Sequence, residues 1–129
     1  MEDNNAFGFK IVLLGESGVG KTCIIDSFQK DKFDPNKMTS ISATFIRRNI
    51  KLENSKEITL NIWDTAGQEL FKSLSQIYYK DADAAILVFD ITTRISYDAL
   101  KDYWYSNIKE NSKPNISKLK LIKLIFFKI

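Results

Sequence analysis

The sequence predicts an α/β fold, with a mostly parallel sheet flanked by helices. Two apolar runs of strand length, residues 9–14 and 84–89, lie far apart in the chain. Segments with apolar residues at helical spacing follow each of them. Between these units, two segments with period-two patterning flank a polar turn, as in a hairpin.

Taken in order, Phe9-Lys10-Ile11-Val12-Leu13-Leu14 is apolar almost throughout and stops at Gly15, which suits a strand buried on both faces. Residues 21–30 place Ile24, Ile25 and Phe28 on one side of a helix. Residues 31–44 are polar, lack a period and contain Pro35, and read as a loop. In residues 45–52, Phe45, Arg47 and Asn49 alternate with Ile46, Arg48 and Ile50. In residues 58–63, Ile58, Leu60 and Ile62 oppose Thr59, Asn61 and Trp63, with Asn54-Ser55 as the turn between the two strands. A further helix precedes the strand at 84–89. Residues 96–110 carry Tyr97, Leu100, Tyr103, Trp104 and Ile108 at helical spacing, and Pro114 closes that helix.

Composition narrows the chemistry. With 44% hydrophobic and 27% charged residues in 129, the chain has one domain's worth of globular sequence. It has no histidine, so a Ser-His-Asp or Cys-His site and any imidazole-bound zinc are excluded. Its single cysteine, Cys23, closes no intrachain disulfide, which favours a reducing compartment. The net charge of +3 comes from residues 113–129, which hold five lysines and no acid. The rest is slightly acidic, so no nucleic-acid partner is expected. The start is acidic and polar, unlike a signal peptide. The apolar run at 121–129 is interrupted by Lys123 and Lys128, and no cysteine lies near the end. No intrinsic membrane anchor is expected.

Gly15-Glu16-Ser17-Gly18-Val19-Gly20-Lys21-Thr22 fits G-x-x-x-x-G-K-[ST], entered by a strand and left by a helix. Glycines let the backbone turn and approach a ligand closely. The loop N–H groups and the helix N-terminus then surround phosphates with positive potential. Lys21 would reach the β- and γ-phosphates, and Thr22 would offer its hydroxyl to Mg²⁺. Asp64-Thr65-Ala66-Gly67-Gln68-Glu69 follows the strand at 58–63. A carboxylate at that strand end, beside a phosphate loop, is placed to support Mg²⁺. Gly67 offers a backbone N–H to a γ-phosphate, and Gln68 can orient an attacking water.

These motifs resemble those of the Ras superfamily of small GTPases. Ile62-Trp63, Tyr78-Tyr79-Lys80-Asp81-Ala82 and the run from Ala85 to Thr92 resemble the Rab family within it. The similarity covers about residues 9–108. It implies a P-loop NTPase-like fold and a GTP-binding, GTP-hydrolysing switch in vesicle-mediated membrane trafficking. GTP or GDP and Mg²⁺ are the implied cofactors. Residues 15–23, from Gly15 through Glu16, Ser17, Gly18, Val19, Gly20, Lys21 and Thr22 to Cys23, would contact the nucleotide, together with Asp64 and Gly67. Phe33 falls where the family packs an aromatic on the guanine ring, or else anchors its loop. Ser40 occupies the switch threonine's position and would ligate Mg²⁺ with Thr22 and Asp64; a one-residue slip gives that role to Thr39. Gln68 would be the catalytic residue, with any arginine finger supplied by a partner. An exchange factor, a GTPase-activating protein and effectors would bind through switch regions around 31–48 and 64–80. Phe45, Trp63 and Tyr78 resemble the aromatic triad that meets effectors, or else are core. The implied location is the cytoplasm, or the cytosolic face of endomembranes if a full-length form is lipidated.

The sequence departs from the family in places. Ser42 stands for the usual glycine and Leu70 for the usual arginine. After Pro114 the guanine-reading Asn-Lys-x-Asp does not occur. The expected organisation is therefore the N-terminal part of a GTPase domain at 1–112 and a separate tail at 113–129, with the fold incomplete at its C-terminus. The tail is either a diverged fifth strand or sequence foreign to the domain. The alternative function is a non-catalytic, truncated chain that keeps the phosphate loop and effector surface but not guanine selectivity.

Overall fold

The structure, a computed structural model, describes residues 7–30, 44–65, 77–78, 80–112 and 121–124. Five strands form one sheet: β1 (Phe7–Leu14), β2 (Thr44–Lys51), β3 (Glu57–Asp64), β4 (Ala84–Asp90) and β5 (Leu121–Leu124). Helix α1 (Lys21–Lys30) follows β1. After β4 comes one continuous helical run, made of α2 (Arg94–Ala99), a π-helical turn (Leu100–Tyr105) and α3 (Ser106–Asn111). The sheet order is β2-β3-β1-β4-β5. β1 lies parallel to β3 and β4, β4 parallel to β5, and β2 antiparallel to β3.

The apolar run of β1 is explained by cover on both faces. Val12 and Leu14 point into one cluster with Leu87, Leu100, Trp104 and Ile108. Leu13 points into the other, with Val88, Val19 and Ile25 of α1. β4 alternates likewise, with Ala85, Leu87 and Phe89 opposite Val88. Central parallel strands buried on two sides need apolar residues at nearly every position. β2 is an outer strand, and there the alternation is visible: Phe45, Arg47 and Asn49 are exposed, while Ile46, Arg48 and Ile50 are half-buried.

The hairpin turn is closed by backbone bonds from Leu52 N–H to Lys56 O (2.8 Å) and from Ser55 N–H to Leu52 O (2.9 Å). Ser55 takes a positive φ of 62°, and Asn54 Oδ1 accepts from Lys56 N–H at 3.2 Å. A polar Asn-Ser pair tolerates that left-handed turn.

The helical run begins at Arg94, two residues before the periodicity indicates, and contains a π turn that the periodicity does not anticipate. Leu100, Trp104 and Ile108 are its buried residues in that stretch. A four-residue spacing overshoots an α-helical turn by about 40°. The wider π turn absorbs the excess and keeps Leu100 and Trp104 on the sheet-facing side. The helix expected between β3 and β4 lies largely outside the described residues; Ile77 and Tyr78 are helical. Among the described residues no helix is long and apolar enough to cross a membrane.

Candidate functional site

Because β1, β3 and β4 run parallel, their C-terminal ends share one edge of the sheet. Loops leaving such an edge form the crevice where open α/β sheets bind ligands. Residues 15–20 leave β1 here, Thr65 continues β3, and the turn after Asp90 continues β4.

The loop is tightly folded against β4. A Cβ on Gly15 would stand 2.2 Å from the Val88 carbonyl oxygen, so no other residue fits there. Gly18 and Gly20 adopt φ of +78° and +100°, torsions that a side chain disfavours. Val19 is buried under the loop, and Ile24 N–H donates to Gly20 O (3.0 Å) to start α1. Glu16 is half-buried, while Ser17 and Gly18 face solvent.

Lys21, at the first position of α1, is 5% exposed. Its ammonium donates to the carbonyls of Gly15 (3.0 Å) and Glu16 (2.9 Å). Burial lowers its pKa from 10.5 to about 8, partly opposed by the negative charges of Asp64 and Glu16. A desolvated ammonium held by its own loop is poised for a strong anionic ligand.

Thr22 donates its hydroxyl to Asp64 Oδ2, which joins the start of α1 to the end of β3. Asp64 is fully buried, and sheet register pairs it with Leu13. The next residue, Thr65, is 1% exposed and donates its hydroxyl to Leu13 O at 2.6 Å. This bond fastens the departing β3 chain to β1 beside the phosphate loop. A hydroxyl and a carboxylate are hard oxygen donors and fit Mg²⁺, which takes one or two protein oxygens and completes its shell with phosphates and water. Cys23 follows on α1, half-buried.

On the other side of the loop, Trp104 Nε1 donates to Glu16 Oε1 at 3.0 Å. Ser96 closes the β4 turn: its Oγ donates to Thr93 O (2.8 Å) and accepts from Asp90 N–H (3.0 Å). Asp90 Oδ1 accepts from Thr92 N–H (2.8 Å) and Thr92 Oγ1 (2.6 Å). Between this turn and residues 16–19 lies a cavity of about 210 Å³.

A row of aromatics runs across β2 and β3. Phe45 and Trp63 have ring centroids 4.8 Å apart, and Trp63 and Tyr78 5.6 Å. Phe45 is 44% exposed, whereas Trp63 and Tyr78 pack partly on the core. The two sequence readings of these residues, core and surface, therefore describe different ends of one row.

The structure thus brings together Gly15, Glu16, Ser17, Gly18, Val19, Gly20, Lys21, Thr22, Cys23 and Asp64. Phe33, Ser40, Gly67 and Gln68 lie outside the described residues, as do Thr39, Ser42 and Leu70. Sequence reasoning did not single out Thr65 or Trp104 as parts of this site. Thr65 stands next to a motif aspartate, where a small hydroxyl residue at a strand end is a usable signal. Trp104 reads as core, and its partner lies 88 residues away.

Comparison with known proteins follows the same motifs. The sequence model of the Ras family matches residues 10–123. The chain is 42% identical over 113 residues to the Ras-related protein Rab-13 of Rattus norvegicus, covering 88% of this chain and 55% of that protein. It is 40% identical over 110 residues to the GTP-binding protein ypt2 of Schizosaccharomyces pombe, covering 85% and 54%. It is 42% identical over 111 residues to the Ras-related protein Rab-8A of Bos taurus, covering 86% and 53%. The chain spans about half the length of the curated relatives it matches.

Proposed function

The chain belongs to the Ras family, and we propose that it works as a Rab-type switch that binds GTP and GDP and hydrolyses GTP in vesicle-mediated membrane trafficking. The observation that carries this reading is the meeting of Lys21, Thr22 and Asp64 under a glycine-shaped loop at one sheet edge. The loop N–H groups and α1 N-terminus receive the phosphates. Lys21 exchanges its carbonyl partners in part for β- and γ-phosphate oxygens. Thr22 and Asp64, with Ser40, hold Mg²⁺, which when bound neutralises charge on the phosphate oxygens. Gly67 N–H meets the γ-phosphate, and Gln68 orients a water for in-line attack. The water oxygen bonds to the γ-phosphorus as the bond to the β–γ bridging oxygen breaks, releasing GDP and phosphate. Phe33 stacks on the base, and residues 31–48 and 64–80 meet regulators and effectors, with the Phe45–Trp63–Tyr78 row as an apolar anchor. Action in the cytoplasm, and on the cytosolic face of endomembranes where a full-length form is lipidated, belongs to the same proposal.

A second reading rests on one observation: Asn-Lys-x-Asp, which would read guanine's polar edge, does not occur in these 129 residues. In that reading the chain binds phosphates without selecting the base. The deciding experiment is titration with fluorescent GTP in Mg²⁺, with competition by GDP and by ATP. Displacement by GDP and not ATP supports the guanine switch. Equal displacement by ATP selects the second reading, and failure to bind either nucleotide removes both. In the first case Gln68→Leu should slow hydrolysis while leaving affinity unchanged.

A further inference from the structure

Glu16 is held at both ends. Its backbone carbonyl accepts from Lys21 Nζ at 2.9 Å, and its carboxylate accepts from the indole N–H of Trp104 at 3.0 Å. The two holders differ in kind. Lys21 belongs to the phosphate loop's own helix, whereas Trp104 is 0% exposed and set in the core among Leu14, Leu87, Leu100 and Ile108. Its ring also makes an edge contact with Tyr103, with centroids 5.0 Å apart. It sits on the π-helical turn, whose register keeps the indole facing the sheet. A buried indole N–H needs an acceptor, and an ionised carboxylate makes the bond stronger and shorter than a neutral one would. The core-anchored tryptophan is therefore the fixed partner, and the half-buried loop glutamate is the one it places.

We propose that Trp104 is a positioning residue of the phosphate site: through Glu16 it fixes the loop carbonyl that aims Lys21, and so slows nucleotide release. The effect on release rests on the nucleotide-binding function proposed above, but the effect on the loop does not. A phosphate ligand draws the ammonium forward, and a loop that stays in place meanwhile loses no order on binding. Without the indole bond the Glu16 carboxylate loses its anchor to the core, and residues 15–17 gain conformations that do not present Lys21.

The test uses the full chain with Trp104→Phe, which keeps most of the buried ring and removes the donor, and two changes at Glu16. Glu16→Ala removes the acceptor, while Glu16→Gln keeps an acceptor without the charge. Ile108→Val, in the same cluster but not bonded to the loop, reports core loosening alone. Two readouts are taken: release of fluorescent GDP, and amide hydrogen exchange of residues 15–21 in the nucleotide-free chain. Trp104→Phe and Glu16→Ala should each release GDP about tenfold faster and exchange faster across 15–21. The double variant should add little, and Glu16→Gln, which keeps an acceptor but a weaker one, should fall between the parent and Glu16→Ala. If Ile108→Val matches Trp104→Phe in both readouts at equal loss of thermal midpoint, Trp104 is a core residue only and the proposal falls. If Trp104→Phe leaves the exchange of 15–21 unchanged, it also falls. If the parent chain binds no GDP, the proposed function fails, and the exchange readout still decides the role of Trp104.

Discussion

The Thr22 hydroxyl donates to the Asp64 carboxylate across 42 residues of sequence, tying the start of α1 to the end of β3. Both groups are oxygen donors that suit a hard cation, so the bond holds in shape the corner proposed above to take Mg²⁺. Thr22→Ala and Asp64→Asn should each remove most of the Mg²⁺ dependence of GTP affinity. The check is titration with fluorescent GTP with and without Mg²⁺. An unchanged ratio between the two conditions would exclude this pair as metal ligands.

Lys21 makes stability and binding respond oppositely to pH. Its pKa falls from 10.5 to about 8 in the folded chain, chiefly through burial. Between those values the unfolded chain holds more protons, so this group's contribution to stability rises with pH from about 8 to 10.5. Below about 8 it is charged in both states, and the full cost of burying the ammonium is present. The proposed phosphate binding needs the charged form and should weaken as pH rises past about 8. Denaturant melts and GTP titrations across pH 7 to 10 measure the two trends, and Lys21→Met should abolish both.

Two glycines of one loop should behave differently. Gly15→Ala drives a Cβ into the Val88 carbonyl, which is backbone and cannot swing aside. About 3 kcal/mol of destabilisation is expected. At Gly18 nothing lies within 4 Å of an added Cβ, and only the positive φ opposes it. There the cost should be about 1 kcal/mol. Urea unfolding of the two variants gives the comparison, and equal losses would contradict it.

Thr65→Val keeps the shape of a buried side chain but removes its bond to Leu13 O. The stranded carbonyl should cost about 1–3 kcal/mol. Because Thr65 adjoins Asp64, GTP affinity in Mg²⁺ should fall as well. Thr65→Ser, which keeps the hydroxyl, should restore most of the affinity. Urea melts and GTP titration of the pair check both parts.

Much of the fold is legible in the sequence because burial on two faces leaves a plain mark. Val12-Leu13-Leu14 and Ala85–Phe89 admit few readings other than central strands. The outer hairpin is legible for the opposite reason, since one solvated face leaves Phe45, Arg47 and Asn49 alternating with residues that pack. The phosphate loop is legible because its chemistry is local: the glycines, Lys21 and Thr22 act within eight consecutive residues. The π turn is less so. Its signal is only the four-residue spacing of Leu100, Trp104 and Ile108, which an α-helix with a broad apolar face would also produce. Leu121–Leu124 pair with β4 as a fifth strand, and the four residues Leu-Ile-Lys-Leu alone do not select β4 as the neighbour.

The sequence by itself determined the alternation of strands and helices, the place of the phosphate loop and the identity of its charged groups. Those features depend on periodicity and on residues adjacent in the chain. Only the tertiary structure decided that Val88 forbids a side chain at Gly15, that Thr65 fastens to Leu13 and that Trp104 holds Glu16. Each is a contact between elements whose register is set by sheet pairing and helix packing. A buried hydroxyl, indole or carbonyl requires a partner wherever it lies, but which partner it finds depends on what the fold brings within 3 Å.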